Sequence, residues 1–106
     1  MPYTNAMPST YSITDNLQHG YPLYSTWQVY NSLGSSTNIM HAMCIYGIYT
    51  TNNYISIMDP DNGFATVAAD PNSGNGAGYC SYTYYDTTSG TYATLIDAIY
   101  STSFSR

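Results

Sequence analysis

The sequence predicts an α+β domain: a curved antiparallel sheet or partial β-barrel, with a short helix near the N terminus and another at the C terminus. Runs rich in Val, Ile, Tyr and Thr are separated by clusters of Asn, Asp, Gly and Ser, as is typical of strands joined by turns. Two other segments space their apolar residues as helices do. The chain has 106 residues, which suits one domain; we place it at residues 11–106, after an extended arm at residues 1–10.

The first helix is predicted over residues 11–18. Ser12 and Asp15 have the spacing of a capping box, with Asp where Glu or Gln is usual. Ile13 and Leu17 are one turn apart, and Gly20 is placed to end the helix. His19, just before that glycine, is interpreted as a capping residue at the helix C terminus.

A strand is predicted over residues 21–30. Alternation places Leu23, Ser25, Trp27 and Val29 on one face. The opposite face carries Tyr, Thr and Gln without any charge, so neither face is strongly polar. The pattern therefore favours a central strand, followed by a loop over residues 31–38.

A β-hairpin is predicted next, from residues 41–50 and 53–60. Its first strand opens with His41, and its second ends with Asp59 directly before a proline. If the two side chains work together, they must share a face of the sheet. A two-residue turn would pair position 44 with 59 and turn Asp59 away from His41. We therefore expect an odd-numbered loop, or an equivalent bulge, with Asp59 diagonal to His41.

The remaining chain is predicted to form two strands and a helix. Turns are expected at residues 61–63 and 86–90, a loop at 70–78, and strands at 64–69 and 79–85. The last segment has apolar residues at i, i+3, i+4, i+7 and i+8, which predicts a helix starting near residue 91. These residues are Tyr92, Leu95, Ile96, Ile99 and Tyr100.

The composition excludes several classes of function. Only 7% of residues are charged and the net charge is −5, with no Lys and a single Arg, Arg106. Binding to nucleic acid or to an anionic membrane surface needs basic residues, so we expect neither partner. No apolar stretch is long enough for a transmembrane helix, and the first residues do not resemble a signal peptide. Polarity comes from Ser, Thr, Asn and 14 Tyr, which favours an extracellular or cell-surface location.

The hairpin residues resemble part of a known family. His41-Ala, then Gly47-x-Tyr49, then Tyr54-Ile-x-Ile-x-Asp59-Pro is similar to the second half of papain-like cysteine peptidases, in the bacterial branch that includes leader-processing and secreted enzymes. Gly20-Tyr-Pro22 is similar to the start of that half. The resemblance covers about residues 12–65. It implies the barrel lobe of such a peptidase, with His41 as general base and Asp59 as the residue that orients it.

The family's nucleophilic Cys, preceded by an oxyanion-hole Gln, is expected upstream of the histidine, and no Cys precedes His41 here. Cys44 lies an odd number of residues from His41, so its side chain points to the other face. Cys80 is predicted in a Tyr-rich strand, away from any helix N terminus that would lower its pKa. Whether the two cysteines form a disulfide stays open.

Two functions from different classes follow. The chain is the His/Asp-bearing lobe of a cysteine peptidase, inactive alone and acting on peptides when a Cys-bearing lobe or separate chain completes it. Alternatively, it is a non-catalytic secreted binding or interaction module derived from that fold. The lone domain is expected to expose an apolar patch where its other lobe would pack, which favours self-association. No cofactor and no metal site are predicted: the acidic residues from Asp59 to Asp70 lack the Gly and Glu positions of a calcium loop, which favours a turn.

Overall fold

The computed structural model describes residues 3–49, 53–70 and 81–102, and shows a curved antiparallel sheet with one helix among those residues. The helix α1 spans Thr10–Gln18. The strands are β1 (Tyr3–Ala6), β2 (Leu23–Tyr30), β3 (Ser36–Tyr49), β4 (Tyr54–Asp59), β5 (Gly63–Ala68), β6 (Thr83–Asp86) and β7 (Thr91–Ser101). An α+β fold with a short N-terminal helix is thus confirmed.

The strand order is β1-β7-β2-β3-β4-β5, with β6 also paired to β7. Strand β2 lies in the middle, as predicted from the absence of a strongly polar face. Strand β1 lies within the arm predicted for residues 1–10 and pairs with β7 from Tyr3 opposite Ser101 onward. A single bridge, Ala69 opposite Tyr82, joins the end of β5 to the chain just before β6. The sheet therefore curls until its edges touch at one end.

The core lies on the concave face of the sheet. Every second residue of β2, from Leu23 to Trp27, is buried there, as predicted. Strands β3, β4 and β7 contribute further aliphatic residues, and α1 covers them with the fully buried Ile13. Because β-branched and aromatic side chains fill one face of each strand, burying that face stabilises sheet and helix together.

The prediction of a C-terminal helix is wrong, because Thr91–Ser101 forms strand β7. Its buried hydrophobic residues are Ala93, Leu95, Ala98 and Tyr100, at spacings of two, three and two. The step of three is a bulge at Ile96, since Thr26 pairs with Asp97 and Trp27 with Leu95. Apolar residues on both faces, combined with this bulge, imitate the spacing of a helix. Pairing with β2 on one side and with β1 and β6 on the other overrides that local pattern.

Helix α1 begins earlier than its predicted cap. Ser9 is the N-cap, and its Oγ accepts a hydrogen bond from the backbone N–H of Ser12 at 3.1 Å. Gly20 ends the helix with φ of +81°, a conformation that favours glycine. The His19 ring contacts the carbonyl oxygen of Asp15 at 2.7 Å through Nδ1, so its predicted capping role is confirmed.

One buried amide attaches the helix to the sheet. The Asn16 side chain donates to the carbonyl oxygen of Ser101 at 2.9 Å and accepts from the N–H of the same residue at 2.9 Å. It therefore pairs with the end of β7 as a neighbouring peptide group would. Within the residues described, no helix is long and apolar enough to cross a membrane.

Candidate functional site

The β3–β4 hairpin brings His41 and Asp59 to the same face by means of a bulge. Near the turn, Tyr49 pairs with Tyr54, which leaves four residues between them and would put Asp59 opposite Cys44. Beyond Ile45 the register shifts by one, because Tyr46 is an extra residue in β3. The equivalent bulge expected from the sequence is thus present. It places Asp59 diagonal to His41, on the concave face.

The two side chains are in direct contact. His41 Nε2 lies 2.8 Å from Asp59 Oδ1. The His41 side chain is 25% exposed, whereas that of Asp59 is 1% exposed. The histidine therefore stays accessible from outside while its carboxylate partner is shielded from water.

Asp59 is held as an ionised acceptor. Burial by itself raises the pKa of its carboxyl group. Hydrogen bonds from the Asp61 N–H at 2.9 Å, from His41 and from Asn62 Nδ2 at 2.8 Å outweigh burial and hold the pKa below its usual range. Three donors on two oxygens thus keep a buried carboxylate charged.

The ionised carboxylate fixes the histidine tautomer. A carboxylate can only accept, so His41 Nε2 must carry the proton that it donates. In the neutral ring, the lone pair then lies on Nδ1, for which no hydrogen-bond partner exists among the described residues. A neutral imidazole with a free lone pair, oriented by a buried carboxylate, has the arrangement of a general base.

Two further residues complete the site, and neither was singled out from the sequence. Asn62, in the turn between β4 and β5, accepts from Thr88 Oγ1 at 3.0 Å and so ties that turn to the one between β6 and β7. The Tyr84 phenol lies close enough to the Asp59 carboxylate to feel its charge. Burial, followed by the negative charges of Asp59 and Asp86, raises the pKa of this phenol. Asn62 lies in the predicted turn beside Asp59, but no local pattern indicates Tyr84.

His41 opens into a cleft of about 260 Å³ on the concave side. Its aliphatic wall consists of Val29, Ile39 and Ala93 from three neighbouring strands. The opposite side is polar. The polar lining residues are Asp61, Tyr84, Asp86, Ser89 and Thr91.

Cys44, the cysteine that lies within the described residues, does not join this site. Cys44 is a free thiol that pairs with Tyr24, on the face opposite to His41, as its odd spacing predicts. Burial raises the pKa of the Cys44 thiol, which makes it a poor nucleophile. Cys80, and with it most of the predicted 70–78 loop, lies outside the described residues.

His41, Asp59 and Asp61 offer ligand atoms within 4.8 Å of one another. Asp59 Oδ1 accepts from His41 Nε2 and from the Asp61 N–H, and Oδ2 accepts from Asn62 Nδ2, so hydrogen bonds within the chain account for this cluster. Asp70, the last residue of the calcium-like spacing, instead accepts from the hydroxyls of Ser81 and Thr83. The residues from Asp59 to Gly63 form the turn that the sequence predicts.

Comparisons with known proteins leave the site to be interpreted from its own geometry, since no family model, curated protein or solved structure matches the chain.

Proposed function

We propose that the chain is the base-bearing lobe of a papain-like cysteine peptidase of the bacterial, secreted branch. The observation that supports this most is the 2.8 Å contact between His41 Nε2 and the buried carboxylate of Asp59. His41 is the general base, and Asp59 is its orienting partner. The nucleophilic thiol and the oxyanion donor come from another segment or a separate chain.

The chemistry follows from the tautomer. Nδ1 takes the proton of the incoming thiol, and the thiolate attacks the peptide carbonyl carbon. The imidazolium, stabilised by Asp59, then gives this proton to the leaving nitrogen as the C–N bond breaks. Water, deprotonated by the same nitrogen, hydrolyses the thioester and releases the thiol.

The first test uses the chain alone with unstructured peptides and a thiol-directed probe. We expect no cleavage, because acyl transfer of this kind needs both a thiol and an oxyanion donor. Cleavage that disappears in Cys80→Ser would overturn this expectation and make Cys80 the nucleophile.

The second test expresses the chain together with the segment encoded next to it. In that segment we expect a Gln shortly before a Cys at a helix N terminus. The joined protein should cleave unstructured peptides, and His41→Ala should lower kcat by about 10²–10⁴-fold. His19→Ala is the matched control, since this other histidine caps α1 and does not line the cleft. Equal cleavage by His41→Ala and the wild type would refute the proposed role of the base.

A non-catalytic interaction module is the second candidate, and the convex face of the sheet favours it. Paired residues form an apolar row across five strands there: Ile99, Tyr24, Cys44, Met58 and Phe64. Tyr24 and Phe64 are 73% and 76% exposed. Exposed apolar rows of this kind are typical of contact surfaces between proteins. If His41→Ala still makes contacts with proteins through this row, the interaction module is favoured over the peptidase.

A further inference from the structure

The cleft beside His41 combines an aliphatic wall with an unneutralised acidic rim. Val29, Ile39 and Ala93 form the wall, and Ile39 is 60% exposed although it is aliphatic. Asp61 contributes a carboxylate from the turn between β4 and β5, and Asp86 contributes one from the end of β6. An apolar surface next to negative charge fits a ligand that has both an aliphatic part and a cation.

The Asp86 carboxylate of the rim is held in place by the turn that follows it. Asp86 Oδ1 accepts from the backbone N–H of Thr88 at 2.9 Å and of Ser89 at 3.4 Å. Despite partial desolvation, these hydrogen bonds keep the pKa of Asp86 low. The carboxylate is therefore charged at neutral pH and oriented before any ligand arrives.

Among the described residues, no Lys or Arg faces this rim. The sequence contains no Lys, and its single Arg, Arg106, lies outside the described residues. Asp59, Asp61 and Asp86 are three of the chain's six acidic residues and gather around one cleft. A cationic ligand would complement the charge of this cleft.

We propose that the cleft binds a basic side chain, Lys or Arg, of a peptide. Its methylene stem lies along Val29, Ile39 and Ala93, and its cationic head lies at the Asp61–Asp86 rim. Long basic side chains bury their stems on apolar surface in this way while the charged end stays hydrated. This inference rests on the proposed function for calling the peptide a substrate, whereas binding itself requires no thiol.

The test is an NMR titration of the ¹⁵N-labelled chain at low salt with three acetylated, amidated peptides, Gly-Ser-X-Ser-Gly. X is lysine, norleucine or glutamate, so the first two share an aliphatic stem and differ in charge. We expect shifts at residues 61 and 86–91 and binding of the lysine peptide at least tenfold tighter than the norleucine peptide, about 1.4 kcal/mol. Added salt should reduce this preference because the rim is open to solvent.

Asp61→Asn or Asp86→Asn should each lower the preference at least threefold. Asp97→Asn is the matched control, because it removes the same charge from a residue outside the cleft lining. Equal binding of the lysine and norleucine peptides would overturn the proposal. So would an equal loss of the lysine preference in Asp97→Asn, because net charge alone would then explain the preference. If the lysine peptide is not preferred but cleavage still depends on His41, only this inference is refuted. If the lysine peptide is preferred but cleavage does not depend on His41, only the peptidase proposal is refuted.

Discussion

Replacing Asp59 with Asn tests whether the carboxylate holds the site together. The side chain keeps its shape and one oxygen, but its new NH₂ group faces either the Asn62 NH₂ group or the donors from His41 and Asp61. At least one of three hydrogen bonds to a buried charge is therefore lost. A hydrogen bond to a charged group contributes about 1.5–3 kcal/mol, and burying a neutral amide costs less than burying a carboxylate. We expect a net loss of about 2 kcal/mol in the free energy of unfolding at pH 7.

The pKa of Asp59 determines how this loss of stability changes with pH. The pKa of Asp59 is lower in the folded chain than the unfolded value of about 3.9. Its contribution is therefore present above that value and is lost as the pH falls through the folded pKa. The stability difference between the wild type and Asp59→Asn should shrink below about pH 4.

Urea unfolding at pH 7, 5 and 3, followed by Trp27 fluorescence, measures this difference. Trp27 is the single tryptophan, is fully buried and pairs with His41 in the sheet. Asp61→Asn is the control; its side chain is exposed, so we expect a change below about 0.5 kcal/mol. A difference that stays the same from pH 7 to pH 3, or an equal loss in Asp61→Asn, would refute the reasoning.

Two further predictions concern the helix and the convex face. Asn16→Ala should lower the free energy of unfolding by about 2–4 kcal/mol, because both of its hydrogen bonds to Ser101 are buried; a smaller loss than about 1 kcal/mol in urea would contradict this. The chain should self-associate through the exposed row that contains Tyr24 and Phe64, and light scattering should show smaller particles for Phe64→Ser at equal concentration. A clean monomer at high concentration would count against that surface.

The strands whose burial alternates without interruption were predictable from the sequence. Leu23 to Trp27 alternate as a strand must, and the lack of charge on either face of β2 fits its central position. The turns were predictable for the same local reason. Gly63 and Gly90 have φ of +87° and +72°, which glycine adopts without steric cost.

The C-terminal strand was not predictable in this way. A bulge at Ile96 breaks the alternation of β7, and residues such as Tyr92 and Ile99 are apolar although they are exposed. The spacing then fits a helix better than a strand. Hydrogen bonds to strands distant in sequence decide the outcome, and no local window contains them.

The candidate site was likewise predictable only in part. His41 and Asp59 could be singled out from the sequence, along with the requirement that a bulge or an odd loop put them on one face. Only the tertiary structure showed that the bulge is at Tyr46, and that Tyr84 reaches Asp59 from a strand far along the chain. Residue type and parity are local properties of a chain, whereas register and the approach of distant turns depend on how the whole sheet curls.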